Sequence, residues 1–305
     1  MIAAMPRATW TASEALPALR AAADALGLGR HEPRLLRLGT NATARVGDLV
    51  VRVAPVDRDR DALVAELALA RHVAGRVPVP WPADVPQPLE AAGRLATIWR
   101  WIPHDPEVRP EGRAFGALLR AFHAAAADFP GRLPAWRQPA IVDGWLAGLR
   151  EHPSISPDER ALLGRRRDEL LAAIGWPPGA GEGGFDDVLH GDAHPGNVIV
   201  GPDGPVLLDL DLVARGPRAW DLAPAALHAR RYAGGSGDWW RAVRAGYGPP
   251  VDPREEALVD LRELASALWL LAAQPPRPRA ERAAEVDVRL RALAGDPDAP
   301  RWSAG

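Results

Sequence analysis

The sequence predicts an α+β protein of two lobes, with an antiparallel sheet and helices in the first lobe and mostly helices in the second. Short apolar runs separated by turn residues occupy 34–54, the pattern of an antiparallel meander. Beyond residue 102 nearly every segment shows helical periodicity. A proline-rich stretch over 77–88 and one further apolar strand separate these regions, so we expect the lobes at 1–102 and 103–305.

The elements of the first lobe follow from apolar spacing and from glycine punctuation. Gly29 and Gly75 each stand after a run with helical periodicity, where a helix commonly ends. In order, we predict a helix over 11–28, strands over 35–38, 42–46 and 49–53, a helix over 58–74 and a strand over 95–102.

The second lobe is predicted to be helical apart from one hairpin. Its apolar periodicity predicts helices over 107–127, 141–150, 157–174, 221–232, 239–246, 254–273 and 280–293. The hairpin is predicted from two short apolar runs, at 198–200 and 205–208, which flank the turn sequence Gly-Pro-Asp-Gly.

Bulk composition excludes several function classes. The chain has 305 residues, of which 47% are hydrophobic and 25% charged, enough to bury a large core. Its formal charge of −2 gives no basic excess to hold nucleic acid or anionic lipid, so neither is an expected partner. It has no cysteine, and neither a signal peptide nor a membrane span is indicated, so we expect a cytoplasmic protein acting on small ligands.

Asparagine is rare enough in this chain to be informative. All 37 basic side chains are arginine, and Asn41 and Asn197 are the only asparagines, which indicates a coding bias toward Ala, Arg, Gly and Pro. An asparagine retained against such a bias is a candidate for a specific role.

The predicted hairpin brings oxygen-bearing side chains together. Asn197 directly precedes its first strand and Asp209 directly follows its second, so the two should lie side by side. An amide carbonyl and a carboxylate suit a hard cation such as Mg²⁺, which completes its shell with water and phosphate oxygens. Asp192, five residues before Asn197, could face a substrate held against that metal. This arrangement suits phosphoryl transfer, in which one carboxylate orients the attacking hydroxyl.

The spacing of these residues also matches a known pattern. His190-Gly191-Asp192 and Asn197 follow the protein-kinase catalytic loop H-R-D-x-x-x-x-N, with glycine in place of arginine, and Asp209 falls where the metal-binding aspartate follows. With the segments at 208–211 and 216–223, this region resembles the aminoglycoside phosphotransferase family of small-molecule kinases. The resemblance spans roughly 35–270 and is specific between His190 and Asp221.

The resemblance implies a bilobal, protein-kinase-like fold and a set of roles around the catalytic loop. It implies that Asp192 is the catalytic base and that Asn197 and Asp209 are Mg²⁺ ligands. It further implies that His190 positions the loop and that Asp221 braces it by accepting backbone hydrogen bonds. The implied reaction moves a phosphoryl group from ATP or GTP to a hydroxyl of an antibiotic, sugar or similar metabolite.

The resemblance also implies a nucleotide site in the first lobe. Gly39, Thr40 and Asn41 resemble the loop that closes over the phosphates, although that loop is poor in glycine. Arg52 stands where the family usually has a lysine that touches the α and β phosphates, and Glu66 resembles its ion-pair partner. The linker strand, with Thr97, Trp99 and Trp101, resembles the segment whose backbone pairs with the purine.

Two other functions remain open on the sequence alone. A nucleotide-binding pseudokinase would explain Arg52 and the glycine-poor loop. A metal-dependent hydrolase is suggested by His190 and His194 at i and i+4, although Pro195-Gly196 prevents a helix there. Asp211 is either a second metal ligand or, as we favour, a solvated carboxylate. After Trp220 acidic residues and arginines are roughly balanced, which does not favour a polycationic acceptor.

Overall fold

The computed structural model describes residues 10–177, 184–250, 252–273 and 278–303. The first nine residues, on which the expectation of no signal peptide depends, lie outside the described residues. Within the described ranges, no helix is both long and apolar enough to cross a membrane.

The first lobe contains a five-stranded antiparallel sheet with the strand order β1-β2-β3-β5-β4. Its strands are β1 (Arg34–Leu38), β2 (Ala42–Val46), β3 (Leu49–Val53), β4 (Leu89–Ala91) and β5 (Arg94–Arg100). The helices α1 (Ala12–Ala25) and α2 (Arg60–Val73) belong to the same lobe. The sequence analysis missed β4 because a strand of three residues is too short to show periodicity.

Helix α1 covers one face of this sheet. A reciprocal capping box between Thr11 and Glu14 starts the helix one residue later than predicted. Its buried side chains, among them Leu19, share one apolar cluster with Val51 of β3 and Ile98 of β5. The sheet therefore presents its other face toward the second lobe.

The second lobe is mostly helical, as predicted, which confirms the α+β class. Its helices are α3 (Gly112–Ala126), α4 (Gln138–Gly148), α5 (Pro157–Ala173), α6 (Ala223–Arg231), α7 (Gly237–Tyr247), α8 (Glu255–Ala273) and α9 (Ala284–Leu293). Helix α3 begins later than predicted, because residues preceding Pro110 are disfavoured in helical conformation. The predicted hairpin forms from β7 (Val198–Gly201) and β8 (Gly204–Leu207), and the short strands β6 (Val188–Leu189) and β9 (Ala214–Arg215) pair nearby.

Close helix contacts fix the base of the segment 190–197, the counterpart of the kinase catalytic loop. Helices α3 and α7 cross where Gly116 lies so near α7 that a Cβ on it would stand 2.0 Å from the carbonyl oxygen of Val243. This crossing brings His123 of α3 beside Tyr247 of α7. Helix α8 runs through the main apolar cluster of the lobe, where Leu261 and Leu264 share a core with Trp220. The catalytic loop is thus held on a closely packed helical base.

Candidate active site

A buried carboxylate braces the loop that carries the His-Gly-Asp motif. Asp221 is fully buried and accepts hydrogen bonds of 2.7 Å from the backbone N–H groups of both His190 and Gly191. It also lies 2.9 Å from Nε2 of His123, whose Nδ1 is 2.8 Å from the Tyr247 hydroxyl. Because a carboxylate only accepts, His123 donates from Nε2, and Nδ1 of the neutral ring then accepts a hydrogen bond from the Tyr247 hydroxyl. The loop is therefore anchored by a continuous hydrogen-bonded chain to α7.

The middle position of the His-Gly-Asp motif requires glycine for steric reasons. Gly191 has a φ of +89°, and a Cβ placed on it would lie 2.1 Å from the carbonyl oxygen of Leu212. Both the backbone conformation and the neighbouring chain exclude a side chain. The arginine that protein kinases have at this point could not fit here.

We expect Gly191→Ala to lower the free energy of unfolding by more than about 2 kcal/mol, because the new methyl group must displace the backbone at Leu212. Gly93→Ala is the matched control: Gly93 has a φ of +68°, but a Cβ there meets no heavy atom within 4 Å. It should cost only the backbone term of about 1–2 kcal/mol. Chemical denaturation of both variants measures the difference, and equal costs would refute the steric explanation.

His190 connects the catalytic loop to the end of the hairpin. Its Nδ1 lies 3.3 Å from the backbone N–H of Asp192, which donates to it, and its Nε2 lies 2.7 Å from the carbonyl oxygen of Leu208. The two contacts require a neutral imidazole that carries its proton on Nε2. His190 thus fixes the spacing between the catalytic loop and the residue that precedes Asp209.

Asn197 and Asp209 lie on the same side of the hairpin. The backbone N–H of Leu208 donates to the carbonyl oxygen of Asn197 at 2.8 Å, which brings the two strand ends together. The side-chain amide of Asn197 donates to the backbone oxygen of Asp192 at 3.0 Å. Asp209 has a φ of +65°, a conformation that non-glycine residues rarely adopt and that concentrates at functional sites.

The oxygens of these two side chains converge on one cationic atom. Nη1 of Arg37, from β1, lies 3.4 Å from Oδ1 of Asn197 and 3.9 Å from Oδ2 of Asp209. Burial and the neighbouring Asp211 raise the pKa of Asp209 although Arg52 opposes them, so further positive charge would stabilise its ionised form. An amide oxygen and a carboxylate facing one cationic group fit a divalent metal ion. No cluster of three or more His, Asp or Glu side chains able to hold a metal occurs among the described residues.

Asp192 has two polar neighbours in the second lobe. Its Oδ1 accepts a 2.5 Å hydrogen bond from Nη2 of Arg262, and its Oδ2 lies 3.6 Å from Nε2 of His194. Burial opposes ionisation, but the charge of the Arg262 guanidinium outweighs it and holds the pKa of Asp192 below its ordinary value. The carboxylate is therefore ionised at neutral pH and able to accept a proton.

A buried arginine connects the first lobe to Asp209. Arg52 of β3 forms an ion pair with Glu66 of α2, which is fully buried, and its Nη1 lies 3.0 Å from Oδ1 of Asp209. Its guanidinium also lies 5.4 Å from the ring centroid of Trp99. Burial opposes its charge, but Glu66 and Asp209 outweigh this and raise the pKa of Arg52. Arg52 is held in a fixed direction toward the hairpin.

The other asparagine also lies at this site. The side-chain amide of Asn41 donates to Oδ2 of Asp211 at 3.1 Å, and Arg58 donates to the backbone oxygen of Asp211 at 2.7 Å. The expectation that Asp211 is simply solvated was wrong, because Asn41 and Arg58 of the first lobe hydrogen-bond to its side chain and its backbone. Gly39 and Thr40 belong to the same turn: the N–H of Gly39 donates to the oxygen of Asn41, and the oxygen of Thr40 accepts from Trp10 Nε1.

The amino-acid sequence matches the model of the phosphotransferase enzyme family (APH) over residues 26–259. The chain belongs to this family. The predicted resemblance to aminoglycoside phosphotransferases is thereby confirmed, and membership supports phosphoryl transfer to a small molecule. No curated protein sequence matches the chain significantly.

Several solved structures share the fold of this phosphotransferase. Amicoumacin kinase hAmiN, solved with AMP-PNP, Ca²⁺ and Ami, matches with a TM-score of 0.67 at 15% identity, over 88% of this chain and 90% of that one. A choline/ethanolamine kinase family protein from Mesorhizobium loti matches with a TM-score of 0.64 at 20% identity, over 92% and 96%. APH(2")-IIia in complex with GDP and kanamycin matches with a TM-score of 0.60 at 18% identity, over 87% and 92%. These similarities confirm the predicted kinase-like fold.

The linker strand of this phosphotransferase differs from expectation. The backbone N–H groups of Ile98, Arg100 and Trp101 donate to the side chain of Gln87 and to the carbonyl oxygens of Trp81 and Asp48, respectively. Thr97 and Trp99 are buried and hydrogen-bonded to each other through their side chains. The N–H groups of Ile98, Arg100 and Trp101 are therefore already hydrogen-bonded within the first lobe and cannot pair with a purine.

The sequence analysis missed two arginines of the phosphotransferase site, Arg37 and Arg262. Arg37 lies 160 residues from Asn197 along the chain, and Arg262 lies 70 residues from Asp192. In a chain with 37 arginines, neither stood out from its neighbours. Only the packing of β1 and α8 around the hairpin identifies them.

Proposed function

We propose that the protein transfers the γ-phosphoryl group of ATP or GTP to a hydroxyl group of a small molecule, in a reaction that requires Mg²⁺. The observation that carries this proposal is the connected arrangement of Asp192, Asn197 and Asp209. Asn197 donates to the backbone of Asp192 and faces the same cationic atom as Asp209. The proposed base and the two proposed metal ligands are therefore connected through hydrogen bonds of neighbouring segments.

In this proposal each residue has a separate task. Asn197 and Asp209 would hold the metal, which when bound neutralises charge on the phosphate oxygens. Arg52, fixed by Glu66 and Trp99, would contact the phosphates from the first lobe. The turn at 39–41 would cover them from the same side, with the nucleotide between lobes at 1–102 and 103–305.

Asp192 would act on the acceptor. Its ionised carboxylate aligns the acceptor hydroxyl, whose oxygen forms the new bond to the γ-phosphorus as the bond to the β-phosphate oxygen breaks. The hydroxyl proton passes to Asp192, and the nucleoside diphosphate leaves. Because charge builds mainly on the transferred group, Asp192 needs no raised pKa to accept that proton late in the reaction.

The pseudokinase alternative has no observation in its favour. Arg52 replaces the usual lysine, yet it is paired with Glu66 and directed at Asp209. Its guanidinium keeps its charge and can bind phosphate through two nitrogens. The residues proposed for turnover therefore accompany those proposed for nucleotide binding.

A nucleotide turnover assay tests the proposal. Purified protein with labelled ATP or GTP should release the diphosphate and label an acceptor only when Mg²⁺ and a hydroxylated acceptor are both present, and chelation by EDTA should stop it. Phosphate release without an acceptor would instead indicate a hydrolase. Tight nucleotide binding without turnover on a broad panel of alcohols would indicate a pseudokinase.

A further inference from the structure

Helix α8 forms the wall of the second lobe beside Asp192, and its acidic side chains are all neutralised. Each of the four makes at least one ion pair with an arginine. The pairs are Glu255 with Arg244 at 3.0 Å, Glu256 with Arg230 at 3.0 Å, Asp260 with Arg166 at 3.3 Å and Arg230 at 2.8 Å, and Glu263 with Arg230 and Arg231, both at 2.7 Å. The helix therefore presents no unpaired carboxylate to a cationic acceptor.

The single basic residue of α8 points at the reaction centre. Arg262 donates from Nη2 to Asp192, and its guanidinium lies 5.6 Å from the ring centroid of Trp220. Trp220 is itself fixed, since its Nε1 donates to the carbonyl oxygen of Gly191 at 3.1 Å. Arg262 is thus held on an aromatic face rather than extended freely into solvent.

The guanidinium of Arg262 retains capacity to bind a ligand. Its hydrogen bond to Asp192 is the only one it makes within the described part of the chain, and a quarter of its side chain is exposed. Arginine has five N–H donors in a planar fork that matches the oxygen pairs of carboxylates and phosphates. The remaining donors are therefore available to an anion lying beside Asp192.

His194 turns a hydrogen-bond donor toward Asp192. Its Nδ1 accepts from the backbone N–H of Gly196 at 3.0 Å, which leaves the proton on Nε2, facing Asp192. Arg262 thus balances the charge of Asp192.

We propose that the acceptor is a hydroxylated anion whose carboxylate or phosphate group binds Arg262 while its hydroxyl faces Asp192. This inference rests on the proposed kinase function. Because Arg262 is hydrogen-bonded directly to Asp192, the accepting hydroxyl and the anionic group must lie only a few bonds apart. A polycationic acceptor would meet the guanidinium without a compensating carboxylate on α8.

Matched acceptors test the proposal through a selectivity ratio. We would measure kcat/KM with Mg²⁺ and ATP or GTP for 3-hydroxybutyrate against 3-hydroxybutyramide and for glycerol 3-phosphate against glycerol, with choline and kanamycin as cationic acceptors. The wild-type protein should prefer the anion in at least one pair by about 10–100-fold, the effect of a charge-assisted hydrogen bond. The two pairs distinguish a carboxylate acceptor from a phosphate acceptor.

Variants of Arg262 then separate acceptor binding from a purely positioning role. Arg262→Gln should reduce the preference for the anion to near one, and Arg262→Lys should keep part of it. If Arg262 only holds Asp192, both members of a pair should lose activity equally and the ratio should stay unchanged, which would overturn the proposal. Arg241→Gln, on an exposed position of α7, is the control and should leave the ratio as in the wild type.

The acceptor preference of the wild-type protein tests the proposal even if a variant does not fold. Better turnover of a neutral or cationic acceptor, or no turnover of any anionic one, would overturn the proposal. Faster labelling of glycerol, choline or kanamycin than of either anion would do so while upholding the kinase function. Absence of both nucleotide binding and turnover with every acceptor would instead remove the proposed function itself.

Discussion

Asp192→Asn is expected to lower kcat by about 10²–10⁴-fold, the range for loss of a general base, while the Kd for nucleotide stays close to that of the wild type. The amide has nearly the shape of the carboxylate but cannot accept the hydroxyl proton. The proposed nucleotide contacts come from Arg52, Asn197 and Asp209, none of which uses the Asp192 side chain. Catalysis and binding should therefore separate in this variant.

Single-turnover kinetics and calorimetric titration with Mg²⁺ and AMP-PNP measure these two quantities. Asp192→Ala should show the same separation and excludes rescue by the introduced amide. Asp186→Asn, on an exposed side chain shortly before the loop, is the control for a general effect of losing one charge. Wild-type kcat in Asp192→Asn would refute the assignment of Asp192 as the base.

The part of the site that the sequence predicts well is the part built from neighbouring residues. A two-strand hairpin with a short turn has little freedom, so the positions of Asn197 and Asp209 at its ends follow from local spacing. The scarcity of asparagine pointed to Asn41 as well, whose side-chain amide donates to Asp211 of the second lobe. Local spacing and composition were therefore sufficient to select Asn41, Asn197 and Asp209 as site candidates.

The linker strand illustrates what local patterns do not determine. Its apolar character correctly predicted a strand, but the hydrogen-bond partners of its backbone include Trp81, Ala83 and Gln87 in the proline-rich stretch. Irregular segments of this kind have no periodicity from which pairing could be inferred. The location of free backbone along the strand therefore depended on tertiary structure.

Arg262 illustrates the same limit for charge. Its helix was predicted nearly to its ends, but four acidic residues and one arginine on α8 give no indication of which charges remain unpaired. That depends on arginines from α5, α6 and α7, which reach α8 only in the folded chain. The electrostatic character of the proposed acceptor site is thus a property of packing, not of composition.

Asp221→Asn should lower the free energy of unfolding by about 3–5 kcal/mol, because it breaks a buried charged network by altering one partner. Both carboxylate oxygens accept backbone N–H groups, and Oδ2 also faces His123. An amide replaces one of these oxygens with a donor. At least one buried N–H of the loop then has no acceptor, whichever way the amide is turned.

Urea denaturation of this variant measures the loss as a lower midpoint with an unchanged m-value. Asp203→Asn is the control, since Asp203 is exposed at the tip of the hairpin and its change should stay within about 0.5 kcal/mol. Activity at a temperature where both variants remain folded gives a second readout. Because Asp221 holds the backbone of His190 and Gly191, kcat should fall in Asp221→Asn alone. Unfolding free energies that agree between the two variants would show that the loop does not depend on this carboxylate.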